Sequence, residues 1–329
     1  MNEQKNLLLA IVASLIILLI FQYLFPTQNK VAKQDITDHK VLEDDKIINS
    51  DPLSREEVIT TEERVYLSDD SRLKGSINLK GARFDDIILR DYKENISKDS
   101  PLVTLMSPKN TAKPYFAEFG WNTPQSNIDV PKDEAVWIVI KGKELSPSKS
   151  VTLEWKSPDN LIFNRKISID DNFLFTIEDT VKNNTSVTQT LNHYGRIRRT
   201  GTPETSGFYI LHEGPIGVLD ERLLEPDYDD LLEESQSINS KRNGGWLGIT
   251  DKYWLAALIP NQKNKITGTF KSSIKNNKEM YEANYVSSLL EIPPGKEIKV
   301  ISNLFIGAKE VSLLDQYAEN LSINMFDRA

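Results

Sequence analysis

Cysteine is absent from the 329 residues, which removes disulfides, thiol nucleophiles and thiolate metal sites together. Histidine is nearly absent, the three being His39, His193 and His212. Imidazole is the commonest metal ligand and the usual general base near neutral pH, so either chemistry would have few parts to work with. Positive charge is also short, with 40 Lys and Arg against 48 Asp and Glu and a formal net charge of −8. That balance repels phosphates, and no nucleic-acid partner is expected. A mean hydropathy of −0.41 marks most of the chain as water-facing, so any membrane segment must be local.

Such a segment stands at the start. Leu7 to Phe25 is apolar except for Ser14 and Gln22, and a helix of that length rises about 28 Å, close to the hydrocarbon thickness of a bilayer. Leu7, Ala10, Leu15, Ile20 and Phe25 sample the expected anchor. The run passes into Phe21, Tyr23, Phe25 and Pro26 with no small-x-small cleavage site, which favours a retained anchor over a cleaved signal. The start amine and Lys5 against the single acid Glu3 place the amino terminus in the cytoplasm, and one span then sends everything after Pro26 out of it.

Residues 26–60 hold no aromatic and no glycine, and acids interleave with lysines throughout. Such a stretch buries too little apolar area to offset its ordering entropy, and a flexible tether is expected, with His39 solvated within it.

From residue 61 to 329 the 39% hydrophobic and 9% aromatic content of the chain suffices for a substantial core, and the dominant period is two. Val151, Leu153 and Trp155 share one face, as do Phe173, Phe175 and Ile177, and Tyr281, Ala283 and Tyr285. Val136 to Ile140 and Tyr253 to Ile259 are apolar on both faces, which suits strands covered on both sides. Turn signals such as Ser157-Pro158-Asp159-Asn160 and Pro293-Pro294-Gly295-Lys296 separate the runs. The spacing predicts a mainly β domain, a sandwich or barrel. It ends differently: Val311, Leu314, Ala318 and Leu321 fall at helical spacing, predicting an amphipathic helix over about 309–321. That helix either caps its own sandwich or connects the domain to something in the membrane.

Candidate chemistry is thin. His193 lies in a strand-and-turn stretch, and a surface position is expected for it; neither it nor His212 is assigned a catalytic role. Asp220, Glu221, Glu225, Asp227, Asp229, Asp230, Glu233 and Glu234 crowd together without the spacing of a hand-type calcium loop, so a solvated acidic loop is expected. Arg196, Arg198 and Arg199 make a small basic patch that a rim contact or an internal ion pair would explain. Gly244-Gly245-Trp246-Leu247-Gly248 lacks the lysine and helix of a phosphate cradle. No catalytic, cofactor or metal residue is assigned.

Lys5 to Val12, Gly81 to Leu89, Pro114 to Trp121, Tyr194-Gly195-Arg196-Ile197, Gly214-Pro215-Ile216-Gly217, Gly244 to Ile249 and Leu304 to Glu310 together resemble the bacterial YidC insertases. The resemblance implies a first transmembrane helix and then a periplasmic β-supersandwich ending in a helix, held at the inner membrane. It also implies insertion, folding and assembly of inner-membrane proteins without covalent chemistry, with the bilayer, nascent membrane proteins and the Sec translocon, SecDF included, as partners. In that family, a segment like Ile323 to Ala329 leads into five further membrane helices that carry the substrate groove. The sequence stops at Ala329, so the chain by itself is expected to lack insertase activity. A membrane-anchored sugar-binding or mutarotase-like sandwich is the alternative, favoured if His193 or His212 faces a carboxylate in a cleft.

Overall fold

The computed structural model describes residues 5, 6, 14, 52–125, 128–205, 212–233, 236–239 and 243–329. The chain divides into two units, Met1–Glu43 and Asp44–Ala329. In the first, Lys5, Asn6 and Ser14 are helical, and the anchor positions Leu7, Ala10, Leu15, Ile20 and Phe25 lie outside the described residues. Among the described residues, no helix is long and apolar enough to cross a membrane.

The second unit begins earlier than composition suggested. Helix α1 (Arg55–Thr61) opens with a complete capping box, Ser54 and Glu57 satisfying each other's backbone N–H groups. Its Val58 is buried, and Arg55 pairs with Asp86. The tether reading of 26–60 thus ran over a helix whose Ser-x-x-Glu start was in plain view.

Two sheets, of eleven and nine strands among the described residues, then face each other. The eleven-stranded sheet is built around β1 (Leu73–Asn78), β2 (Arg83–Lys93), β3 (Tyr115–Asn122), β8 (Gln189–Thr200), β11 (Ile266–Lys275) and β12 (Lys278–Ser287). The neighbour order among these is β11-β12-β8-β3-β2-β1. The other sheet contains β4 (Ile138–Lys141), β5 (Val151–Lys156), β6 (Leu161–Ile169), β7 (Leu174–Asn183), β9 (Trp246–Thr250), β10 (Trp254–Ile259) and β13 (Glu297–Ala308), in the order β9-β10-β13-β7-β6-β5-β4. The mainly β sandwich expected from period two is the architecture found.

Strand β6 shows why alternation works as a signal. Leu161, Phe163, Arg165, Ile167 and Ile169 point inward and are buried, while their neighbours are half-buried or exposed. The interior is one cluster containing Phe84, Phe119, Trp121, Phe163, Phe175 and Leu304. The turn at Pro293 closes with Lys296 N–H donating to Pro293 C=O at 3.1 Å, and Gly295 takes the positive φ of 71° there.

Two apolar runs behave differently from one another. In Tyr253 to Ile259, Leu255 to Ile259 are buried as a strand covered on both sides should be, while Tyr253 is exposed and Trp254 half-buried. Strand β4 instead ends its sheet, and Val136, Ile138 and Ile140 are 56%, 66% and 52% exposed. Apolarity on both faces misidentified that strand because its outward row is left uncovered by the fold.

Candidate functional site

His193 is inside the sandwich, 1% exposed, not on the surface. The reason lies in the facing strands. Arg165 and Asp179 sit directly opposite each other on β6 and β7, and both point into the interior, where each needs a partner. Arg165 donates from Nε and Nη2 to the two Asp179 oxygens at 2.7 and 2.9 Å, and Nη2 also reaches the Phe119 carbonyl of the other sheet at 2.8 Å. His193 Nε2 lies 2.8 Å from Asp179 Oδ2, and Tyr285 Oη lies 3.2 Å from His193 Nδ1 and 2.9 Å from Ser302 Oγ. Burial pushes the Asp179 carboxyl up, but the Arg165 charge and the His193 bond outweigh it and hold the group below the usual carboxylate range.

With Asp179 ionised, its carboxylate accepts from His193 Nε2–H, and Tyr285 Oη is the partner of Nδ1. Both ring nitrogens are then occupied. Phe119 and Trp121 pack on the ring at 6.1 and 5.0 Å, and the side chain is buried among the described residues. A His–carboxylate pair exists, yet its geometry is that of a clip between the two sheets. His212 is half-buried, with Nε2 2.8 Å from the Pro215 carbonyl and Nδ1 3.8 Å from the exposed Asp227.

The basic patch divides between two faces. Arg199 lies over the Tyr115 ring at 4.9 Å and bonds Asp251 at 2.6 Å. Arg196 and Arg198 point to the outer face of the eleven-stranded sheet, where register supplies their partners. Arg196 is opposite Glu118 on one side and Asn284 on the other, and bonds both Glu118 and Asp133. Glu118 also receives Arg83 Nε at 3.3 Å. Arg198 is opposite Glu282 and donates to it at 2.6 and 3.1 Å, while Asn284 reaches the other Glu282 oxygen at 2.8 Å. Arg83, Glu118, Arg196, Arg198, Glu282 and Asn284 are 5% exposed or less, and Asp133 is half-buried. Burial pushes Glu282 up, but Arg198, Arg196 and Lys271 outweigh it and hold its carboxyl below the usual range. A small, open recess lined by Arg198, Lys271, Ser273 and Glu282 adjoins this pair.

The acidic segment is not one solvated loop. Asp220 and Glu221 take positive φ of 53° and 63° in a tight turn joining Leu219 to Arg222, and helix α2 (Tyr228–Glu233) buries Tyr228 and Leu231. Among the described residues, no group of side chains is placed to hold a metal ion.

The terminal helix α3 (Val311–Leu321) packs on the sandwich. Leu313, Leu314 and Tyr317 are buried, Ala318 and Leu321 are half-buried, and Val311 is 72% exposed. Its seat is the outer face of the nine-stranded sheet. Phe305 meets Tyr317 at 5.9 Å and Phe326 at 5.7 Å, and Trp246 meets Phe326 at 5.1 Å. Polar ties hold both ends. Glu310, at the N-cap, accepts from Arg72 Nη2 and Tyr92 Oη at 2.7 Å each, and the Arg72 bond holds its carboxyl below the usual range. Tyr317 bonds Asp170, and Trp246 Nε1 donates to the Asn324 carbonyl at 3.0 Å. Helical spacing pointed to Val311, Leu314, Ala318 and Leu321; of these the sandwich covers the last three and leaves Val311 exposed, and the spacing did not show Leu313, Tyr317 or Phe326. The partners Arg72 and Tyr92 are more than 200 residues away and carry no local signal.

The family described as the YidC periplasmic domain matches residues 68–325. The chain is 40% identical over 331 residues to the membrane protein insertase YidC of Rickettsia bellii, covering 100% of this chain and 59% of that relative. It is 39% identical over 334 residues to that of Rickettsia akari, again with 100% and 59% covered. It thus spans less than two thirds of the length of these relatives. A galactose mutarotase-like protein from Lactobacillus casei shares the fold at a TM-score of 0.51 and 9% identity, over 74% of this chain and 100% of that one.

Proposed function

The chain belongs to the YidC periplasmic-domain family, and from that premise we propose that it forms the inner-membrane anchor and periplasmic module of a membrane protein insertase. In this reading the amino terminus is cytoplasmic, Leu7 to Phe25 spans the bilayer, a tether follows, and the sandwich works in the periplasm. Its partners are the bilayer, nascent membrane proteins and the Sec translocon with SecDF. The module does no covalent chemistry and contributes through α3, whose side chains Leu314, Ala318 and Leu321 fix the helix on the sandwich so that the domain and whatever follows the helix move together.

The observation that carries this is the double fixation of α3, an apolar seat on Phe305 and Trp246 and a charged latch from Glu310 to Arg72 and Tyr92. A helix that only capped a sandwich would need the seat but not a latch at its first turn. The mutarotase-like alternative required a His–carboxylate pair in a cleft, and the His193–Asp179 pair is enclosed between the sheets.

The test is complementation of an insertase-depleted strain by a full-length insertase carrying this chain as its amino-terminal part. Glu310→Gln and Arg72→Gln should each leave the protein folded and weaken growth and insertion, and their combination should be no worse than either alone. Normal insertion by the double variant, with the latch lost, would remove the coupling role from α3.

A further inference from the structure

The one place among the described residues where large apolar side chains are exposed in close succession is Val136, Ile138 and Ile140; the other exposed ones are isolated along the chain. Such a row on an otherwise paired sheet marks a contact surface. Trp137 and Val139 turn inward between them, Trp137 to 2% exposure.

The charges around the row have one sign to spare. Every acid from residue 132 to 156 already has a basic partner: Asp133 with Arg196, Glu134 with Lys80 and Lys109, Glu144 with Lys149, and Glu154 with Lys156. Lys132, Lys141 and Lys143 are exposed and have no acidic partner among the described residues. The surface is therefore apolar, flanked by cations, and complementary to something apolar flanked by anions.

The backbone selects among such partners. Strand β4 ends its sheet, but its pairing with β5 is broken by an irregularity between Val139 and Lys141. Bulges and edge lysines are how sheets discourage another strand from adding on. A strand-shaped peptide is thus a poor fit, whereas a lipid surface needs no backbone register. Residues 26–51 could span up to about 90 Å if extended, so the tether alone would leave the orientation of the domain open. We infer that Val136, Ile138 and Ile140 dip into the headgroup region of an anionic bilayer while Lys132, Lys141 and Lys143 hold lipid phosphates, docking the domain on its membrane by this edge. This rests on the tethered reading above.

The absence of native cysteine makes the test clean. The full chain is made as Ile138→Cys, or as Ile301→Cys on the outward side of β13, labelled with an environment-sensitive fluorophore, and placed in nanodiscs of anionic or zwitterionic lipid. The label at 138 should report an apolar setting and be quenched by lipid-borne quenchers in anionic discs only; the label at 301 should do neither. Each of Lys132→Gln, Lys141→Gln and Lys143→Gln should lower the docked-to-undocked ratio about fivefold. A label at 138 as water-exposed as that at 301, in chains that co-elute with anionic discs, overturns the docking alone. Shielding at 138 that ignores lipid charge and grows with protein concentration overturns it in favour of a second copy. Chains that do not co-elute with any disc overturn the tethered reading, and the docking with it.

Discussion

The outer faces of the two sheets solve the same problem in opposite ways. On the eleven-stranded sheet, the outward row carries Glu118, Arg196, Arg198 and Glu282, and strand register sets each charge opposite its partner. On the nine-stranded sheet, the outward Phe305 and Trp246 are apolar and are covered by α3 and Phe326. A paired polar row is sealed by its own sheet, whereas an apolar row must recruit another element. The first kind of surface fixes strand order. The second fixes the position of a helix.

Removing one charge from the first face should have the largest effect. Glu118→Ala leaves Arg83 and Arg196 short of a buried counter-charge, a loss of about 3–5 kcal/mol by the usual cost of breaking a buried pair. Urea denaturation measures it, and a loss below about 1 kcal/mol would show that the row is better solvated than its burial indicates.

On the second face, Leu314→Ala should cost about 2–5 kcal/mol, since Leu314 is 2% exposed and a filled site is emptied. Val311→Ala, three residues earlier but exposed, should change stability by less than about 0.5 kcal/mol. Equal effects at the two positions would erase the distinction between the seated and open sides of α3.

Acid should weaken both faces. Glu282 and Glu310 have pKa values lowered in the folded state, Glu282 against a burial effect that its basic neighbours outweigh and Glu310 chiefly through its Arg72 bond. A group lowered on folding contributes stability above its unfolded pKa, about 4.3 for Glu, and loses it as pH falls through the folded value. The urea midpoint should therefore hold steady near pH 6 and fall below about pH 4, and Glu282→Gln should flatten the fall. A midpoint that rises on acidification would reverse the sign of the argument.

Much of the architecture was legible because burial on one face leaves a period of two, as in β5 and β7, and because α3 alone has a helical period at the end of the domain. The polar row was not legible. The sequence left a rim contact and an internal ion pair both open for Arg196 and Arg198; what decides for the internal pair is the register that brings Glu118 from 78 residues away and Glu282 from 84. His193 was misplaced for the same reason, since its partner Asp179 belongs to the opposite sheet. Strand β4 was misread because an apolar strand at an edge and one at a centre look alike until neighbours are counted. The latch failed to show because Glu310 is one acid among many until Arg72 and Tyr92 are beside it.

The central claim is that α3 belongs to the same cooperative unit as the sandwich. Native-state hydrogen exchange measures this directly, by comparing the opening free energies of the amides from Leu314 to Ala318 with those of β13. The account predicts that the two open together, at the free energy of global unfolding. Helix amides that exchange through a separate, much less costly opening while β13 stays protected would contradict it.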